Sequence, residues 1–235
     1  SLPFWIVGIF TGLLLKPVFA LHGLIQAAQE IRNALAIENI PEARRLLGWH
    51  LVSRNTDLLD AAHIASGTIE SVAENLTDSV AVPLLCFAIG GLPLAWVWRL
   101  VNTADAMIGY HSKEWEHIGK FAAIADDILA FLPARLTGML ICIAAALIGA
   151  DWQTAWRNMV TEHAATESPN AGWSMSAMSG ALGIWLEKHG CYRLNDHGLA
   201  PSITAVDLSC QVVVCGAYLL AVCASGIGWI QDVFL

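Results

Sequence analysis

The chain predicts an all-α, multi-pass integral membrane protein with about four membrane segments, one of them broken or re-entrant. Three observations carry this. Of its 235 residues, 56% are hydrophobic and only 14% are charged, against roughly a quarter charged in a soluble domain, and mean hydropathy is +0.57. Four apolar stretches, 2–15, 80–101, 128–150 and 208–230, approach the ~20 residues that cross a bilayer, the first being short. Trp5, Trp96, Trp98, Trp152, Trp156 and Trp229 lie near the ends of these stretches, as an interfacial aromatic belt does.

The first stretch lacks a basic leader and a small-residue cleavage site, so it reads as a membrane helix rather than a signal peptide. After Lys16-Pro17, residues 18–36 read as a helix leaving the bilayer. Asn39-Ile-Pro-Glu42 is a break, and Pro41 suits the first turn of a helix over 43–52. Thr56 or Asp57 is the expected cap of the next helix. Residues 80–101 are interrupted by Pro83, Gly90-Gly91 and Pro93, which breaks a helix or turns it back where protein satisfies the freed backbone. Residues 102–127 and 151–207 are polar and belong outside the hydrocarbon or along a site, and 208–230 is the cleanest terminal span. With no internal repeat or long linker, one membrane-embedded helical domain over 1–235 is the simplest organisation.

Several functions are disfavoured. A net charge of −8 without a basic run argues against nucleic acid. The six cysteines form no CxxC pair and the eight histidines no HExxH, so reduced core thiols are expected and zinc is not. GxxxxGK[ST], GxGxxG and the Gly-x-Ser-x-Gly elbow are all missing from the sequence.

Four polar clusters are too costly near a membrane to stand without partners. Glu70, Glu74 and Asp78 advance by four, so they share one helix face, with Asn75 beside them. Like charges at that spacing repel by roughly 0.2–0.5 kcal/mol per pair in water and by more where water is scarce. A counter-charge is needed, and a divalent cation is the obvious one. The second cluster runs from Asn102 through Asp105 to Tyr110, with Asn102 and Asp105 at i, i+3. The third is Asp126-Asp127, eight residues before Arg135, and a plain Asp127–Arg135 ion pair across two helical turns is the alternative reading. The fourth is the turn-forming Ser168-Pro-Asn-Ala-Gly-Trp173, which presents the Asn170 amide. Hard oxygens suit Mg²⁺, and Arg54, Arg99, Lys113, Lys120 and Arg135 suit phosphate. Charge neutralisation and positioning at phosphate oxygens is the chemistry such a set performs.

Taken in order, these clusters resemble the cobinamide-phosphate synthase family of cobalamin biosynthesis (the CobD/CbiB family). The matching strings are Arg-Asn-Thr at 54–56, ESVAENLTDSVAVPL at 70–84, GGLPLAWVWRLVNTADAMIGY at 90–110, ADDILAFLPARLTG at 125–138 and SPNAGWSMSAMSGALG at 168–183, with Tyr192 and Pro201 continuing the pattern. The resemblance covers roughly 40–205, and the family begins with a further membrane-proximal segment, which this chain is expected to start after or to lack.

The resemblance implies a multi-pass enzyme of the inner cell membrane. Its reaction is ATP-dependent amide ligation of (adenosyl)cobyric acid, at the f-propionate, to aminopropanol phosphate or aminopropanol, through an acyl phosphate. The expected cofactor is Mg²⁺, with ATP as co-substrate and the corrinoid as substrate. Under that implication Glu70, Glu74 and Asp105 are the expected catalytic residues, and Glu74, Asp78, Asp126 and Asp127 the metal ligands. Arg54, Asn75, Asn102, Tyr110, Arg135 and Asn170 are the expected ATP- and substrate-binding residues. The active face is expected to be cytoplasmic, where ATP is, in accord with Arg44, Arg45 and Arg54 beside the acidic helix.

The chain departs from the family pattern at Asn55 (usually Asp), Ser79 (usually Gly), Ile124 (usually basic) and Ala130 (commonly Asn). Two further readings stand beside the ligase. One is a non-catalytic relative that binds a corrinoid or scaffolds other membrane enzymes of the pathway. The other is a transporter, against which the missing inverted repeat counts.

Overall fold

The computed structural model describes residues 3–108 and 116–234. Nine helices and one short β-hairpin follow along these residues: α1 (Phe4–Leu15), α2 (Leu21–Ala36), α3 (Ile40–His50), α4 (Ala61–Leu76), α5 (Val82–Ile108), α6 (Glu116–Ile148), α7 (Trp152–Glu162), α8 (Ala171–Leu182), β1 (Leu186–Lys188), β2 (Tyr192–Leu194) and α9 (Ile203–Phe234). Four helical runs are long and apolar enough to cross a membrane: Trp5–Ala36, Ala61–Ile108, Gly119–Ile148 and Ile203–Ala224. Phe10, Leu13, Phe121, Ile128, Leu132 and Leu147 are all exposed, which in a multi-pass protein is the face that lipid covers.

The local rules account for most helix ends. Asn39 accepts a hydrogen bond from Glu42 N at 3.3 Å and Pro41 occupies the first turn of α3. The cap of α4 is Asp60, which accepts from His63 N at 2.9 Å. Thr56 and Asp57 therefore do not cap it. Thr56 is instead buried, and its hydroxyl donates to Arg44 O at 3.0 Å. Asp126 and Asp127 lie in the middle of α6, not at a solvated helix start.

The run Ala61–Ile108 has 48 residues and would be about 72 Å long if straight, more than twice the ~30 Å hydrocarbon core. It is not straight. A π-helical turn over Thr77–Ala81 separates α4 from α5, and α5 reverses at Gly90-Gly91. Trp98 Nε1 donates to Asp78 O at 3.0 Å, a contact between residues that a straight helix would hold about 30 Å apart. Residues 80–101 are thus a re-entrant helical hairpin. Gly91 at φ 63°, ψ −159° occupies backbone space open essentially to glycine alone. Pro93 then sits in the first turn of the returning arm, where its missing N–H costs nothing.

Pro83 explains the π turn. It has no N–H to offer Ser79 O in α register or Asp78 O in π register. Val82 N reaches back to Thr77 O, and both freed carbonyls find donors elsewhere. Asp78 O takes the Trp98 indole, and Ser79 O takes Ala20 N at 3.4 Å. Around them Val18, Val82, Cys86, Ala95, Trp98 and Ala130 form a small separate core. Trp98 is fully buried, so it is a packing and hydrogen-bonding residue rather than a member of the interfacial belt. Trp5, Trp152 and Trp156 are exposed, as that belt requires.

The larger core joins α2, α3, α4, α6, α7, α8 and α9 through residues such as Ile31, Leu47, Ile69, Ile141, Met178 and Val213. Helices α7 and α8 pack antiparallel and very closely. A side-chain carbon at Gly180 would lie 2.5 Å from Thr154 O, and one at Gly172 would collide with His163 O. The antiparallel pair β1–β2 follows, with Leu186 opposite Leu194 and Lys188 opposite Tyr192.

Gly91→Ala should destabilise the hairpin by about 1–3 kcal/mol, the usual range for a backbone held in such a region. Thermal unfolding in detergent reads this, and a melting curve matching wild type would contradict the turn geometry.

Candidate functional site

Because α5 doubles back, its returning arm brings Asn102 and Asp105 to the level of the α4 acid row. α6 lays Asp126 and Asp127 beside them, while the segment before α8 and the β-hairpin close the far wall. The result is a cavity of about 790 Å³ lined by residues of all these elements. Glu70, Glu74, Asn75, Asp78, Asn102, Asp105, Asp126, Asp127, Asn170 and Arg54 all line it. Residues as far apart in sequence as Leu51 and Tyr192 are thereby assembled on one surface. Tyr110 lies outside the described residues, as does Lys113. Arg135 does not line the cavity. Its guanidinium lies 3.5 Å from the Phe131 ring centroid and 4.8 Å from that of Trp173. Arg135 makes no ion pair with Asp127. The two residues instead meet on opposite sides of the Asn170 amide.

The acids are not equivalent. Glu70 is buried, and both its oxygens are taken: Oε1 accepts from Ser66 Oγ at 2.7 Å, and Oε2 from Tyr192 Oη at 2.7 Å and Arg54 Nη2 at 3.4 Å. Ser66 in turn accepts from Glu187 N at 2.8 Å, which ties β1 to α4. Glu70 thus organises the wall by fixing a tyrosine and an arginine. Asp126 accepts from Asn102 Nδ2 at 3.1 Å, and Asp127 from Asn170 Nδ2 at 3.3 Å. Glu74, Asp78 and Asp105 make no ion pair with any described residue. Asn75 is engaged along its own helix, donating to Ser71 O at 2.9 Å and accepting from Ser79 Oγ at 3.1 Å.

Among the described residues, seven carboxylates line the cavity, Glu167 being the seventh, against two cations, Arg54 and Lys188. Both cations are already engaged, Arg54 with Glu70 and Lys188 with Glu167 at 2.7 Å. The remaining negative charge calls for cations from outside the described chain. Among the described residues, no three carboxylate, histidine or cysteine side chains converge closely enough to hold a metal ion alone.

Sequence reasoning missed Lys188, Glu167, Met175 and Thr77, and gave Tyr192 no role. Three-residue strands carry too little alternation to be read, and Gly190 at the turn is the one local signal of the hairpin. Thr77 is buried at the cavity wall, and its hydroxyl has no partner among the described residues. Tyr192 is held well above the ordinary phenol value by burial and then by the negative Glu70. The hydrogen bond from Lys188 holds Glu167 below its usual range, and the same bond raises Lys188.

Comparison with known proteins bears on this site. The family described as CobD/Cbib protein matches residues 2–212. The chain is 44% identical over 188 residues to a probable cobalamin biosynthesis protein CobD of Methanothermobacter thermautotrophicus, covering 80% of this chain and 63% of that protein. It is 40% identical over 206 residues to a cobalamin biosynthesis protein CobD of Dehalococcoides mccartyi, covering 88% and 66%. A CobD of Geobacter metallireducens is 42% identical over 167 residues, covering 71% and 51%. The chain therefore spans between half and two thirds of the length of these relatives. No solved structure matches it.

Tyr192→Phe should lower stability by about 1.5–3 kcal/mol, the range for a hydrogen bond to a charged group. Because the folded phenol is raised, its contribution is complete below the ordinary value of about 10 and is lost as pH climbs beyond it. Ultraviolet titration should find Tyr192 the last tyrosine to ionise, together with unfolding. Ionisation of Tyr192 at the ordinary value in folded protein would contradict the Glu70 contact.

Proposed function

Because the chain belongs to the CobD/CbiB protein family, we propose that it acts in cobalamin biosynthesis as an ATP-dependent amide ligase. It joins the f-propionate of (adenosyl)cobyric acid to aminopropanol phosphate or aminopropanol. The observation that carries this reading is the cavity, where seven carboxylates face two already engaged cations beside apolar, lipid-facing helices.

The chemistry runs in two steps. A carboxylate oxygen of the propionate attacks the terminal phosphorus of ATP, ADP leaves, and an acyl phosphate forms. The amine nitrogen then attacks the acyl carbon, the C–O bond to phosphate breaks, and phosphate departs with the electron pair. The amine arrives as an ammonium and must lose protons. Glu74 and Asp105, which have no ion-pair partner among the described residues, are the acceptors we assign. Asp78 draws the ammonium in, and Arg54 and Lys188 attract phosphate oxygens. Tyr192 stays protonated and donates to Glu70, which keeps Arg54 aimed at the cavity.

The donor set fits magnesium, which takes one or two carboxylates and completes its shell with substrate phosphate and water. Asp126 and Asp127 would hold it, leaving Glu74 and Asp78 to the amine, and bound there it would supply neutralisation of the charge on the ATP phosphates. A preformed three-carboxylate site is not required for such binding, which accords with the scattered acids. The cavity takes the reacting ends of the three substrates, with the corrin ring at its mouth.

The departures from the family pattern support competence. Asn55, Ser79 and Ile124 are not on the cavity wall, and Ile124 faces outward. Ala130 alone lines the cavity, and its short side chain is the one observation favouring a relative that binds without turnover. ATP use places the active face on the cytoplasmic side of the cell membrane, and we assign it there.

Protein in nanodiscs, given adenosylcobyric acid, aminopropanol phosphate, ATP and Mg²⁺, should yield the amide by mass spectrometry. The product should vanish without ATP, and fall at least about 100-fold in Glu74→Ala and in Asp105→Ala, as loss of a proton acceptor requires. Corrinoid binding without product would instead establish the binding-only relative, with Ala130→Asn as the variant that restores turnover.

A further inference from the structure

The guanidinium of Arg135 is held in a stack four groups deep. It lies between the rings of Phe131 and Trp173, and His163 stacks on Trp173 at 3.9 Å between ring centroids. No carboxylate pairs with it among the described residues. Its Nη1 donates to Phe131 O and, at 3.4 Å, to Asn170 Oδ1. Asn170 is buried. With its oxygen turned to the arginine, its Nδ2 points at Asp127, donating to the backbone O at 2.9 Å and to Oδ1 at 3.3 Å.

An asparagine amide has a donor end and an acceptor end of nearly equal shape, and its neighbours alone decide which way it faces. Here a cation on one side and a carboxylate on the other fix the choice, and they align the amide dipole between them. Asp127 lines the cavity and Arg135 does not. We infer that Arg135 is a positioning residue for Asp127, acting through Asn170, and not a ligand of substrate phosphate. The stack holds the guanidinium plane, the guanidinium holds the amide, and the amide holds one carboxylate of the cavity wall in a single rotamer. A lysine cannot replace it, because an ammonium has no flat face to lie along the two rings.

The catalytic consequence rests on the ligase reading; the geometry does not, so two measurements are made. In kinetics, Arg135→Met and Asn170→Ala should each lower kcat about 10–100-fold, the usual effect of removing a partner that orients a ligating group. The KM for ATP should move less than about 3-fold, and the double variant should be no worse than the poorer single one. Arg135→Lys is the control for folding and charge, and should lose as much kcat as Arg135→Met. A KM for ATP raised tenfold at unchanged kcat, or losses that multiply in the double variant, would overturn the inference. The second measurement needs no turnover. Protein labelled with ¹⁵N-asparagine in micelles should show a protected Asn170 side-chain amide, assigned by its loss in Asn170→Ala. It should shift and exchange faster in Arg135→Met and in Asp127→Ala. An amide resonance indifferent to both would overturn the inference even if wild type forms product, and wild type without product but with a responsive amide would overturn only the ligase reading.

Discussion

A missing hydrogen-bond donor governs this structure. Pro83 follows the acid row at the one point where α4 would otherwise continue as a plain helix. Without its N–H, the carbonyls of Asp78 and Ser79 must look elsewhere, and unsatisfied carbonyls are expensive at membrane depth. One draws in the Trp98 indole and the other Ala20 N. Those two bonds fasten the returning arm of the hairpin and the α1–α2 junction to the acid row. The reversal at Gly91 makes the first bond geometrically available, and the first bond in turn stabilises the reversal.

Everything chemically distinctive depends on that return. If α5 ran straight, Asn102 and Asp105 would lie on the order of 40 Å from Asp78 at 1.5 Å per residue. Folded back, they face it across a cavity. The clustering carries an electrostatic cost, and the protein offsets only part of it. Glu70 is saturated by Ser66, Tyr192 and Arg54. Asp126 and Asp127 receive amide donors. Glu74, Asp78 and Asp105 are left facing the cavity with no ion-pair partner among the described residues. A cation or ligand that binds only the folded cavity stabilises the fold.

Support for the cavity comes from elements that carry no acids themselves. Gly172 and Gly180 let α8 lie against α7 at backbone distance, and that close packing sets the position of Asn170 at the start of α8. The β-hairpin is tied to α4 through Glu187 N and Ser66, which delivers Tyr192 and Lys188 to the wall. The polar segment 151–207 therefore behaves as a closure over the acid row rather than as loops between spans.

The sequence by itself determined the membrane class, the four apolar runs, the broken segment and the face shared by Glu70, Glu74 and Asp78. Each of these is a local property, set by composition, by a period of 3.6 residues, or by Pro and Gly at fixed places. It also carried the family strings, and with them most residues that line the cavity. What it did not carry is long-range. The α4 cap at Asp60 was one turn away from the expected Thr56 or Asp57 because Thr56 is drawn off to Arg44 O. Trp98 reads like any interfacial tryptophan until the hairpin buries it. Arg135 reads as one more cation of the site until its guanidinium is found over the Phe131 and Trp173 rings. The separation of a saturated Glu70 from a Glu74 without an ion-pair partner among the described residues depends on Tyr192, more than a hundred residues later. Only the tertiary structure decided these matters, because each rests on which distant donor reaches a given oxygen, and no local pattern encodes that.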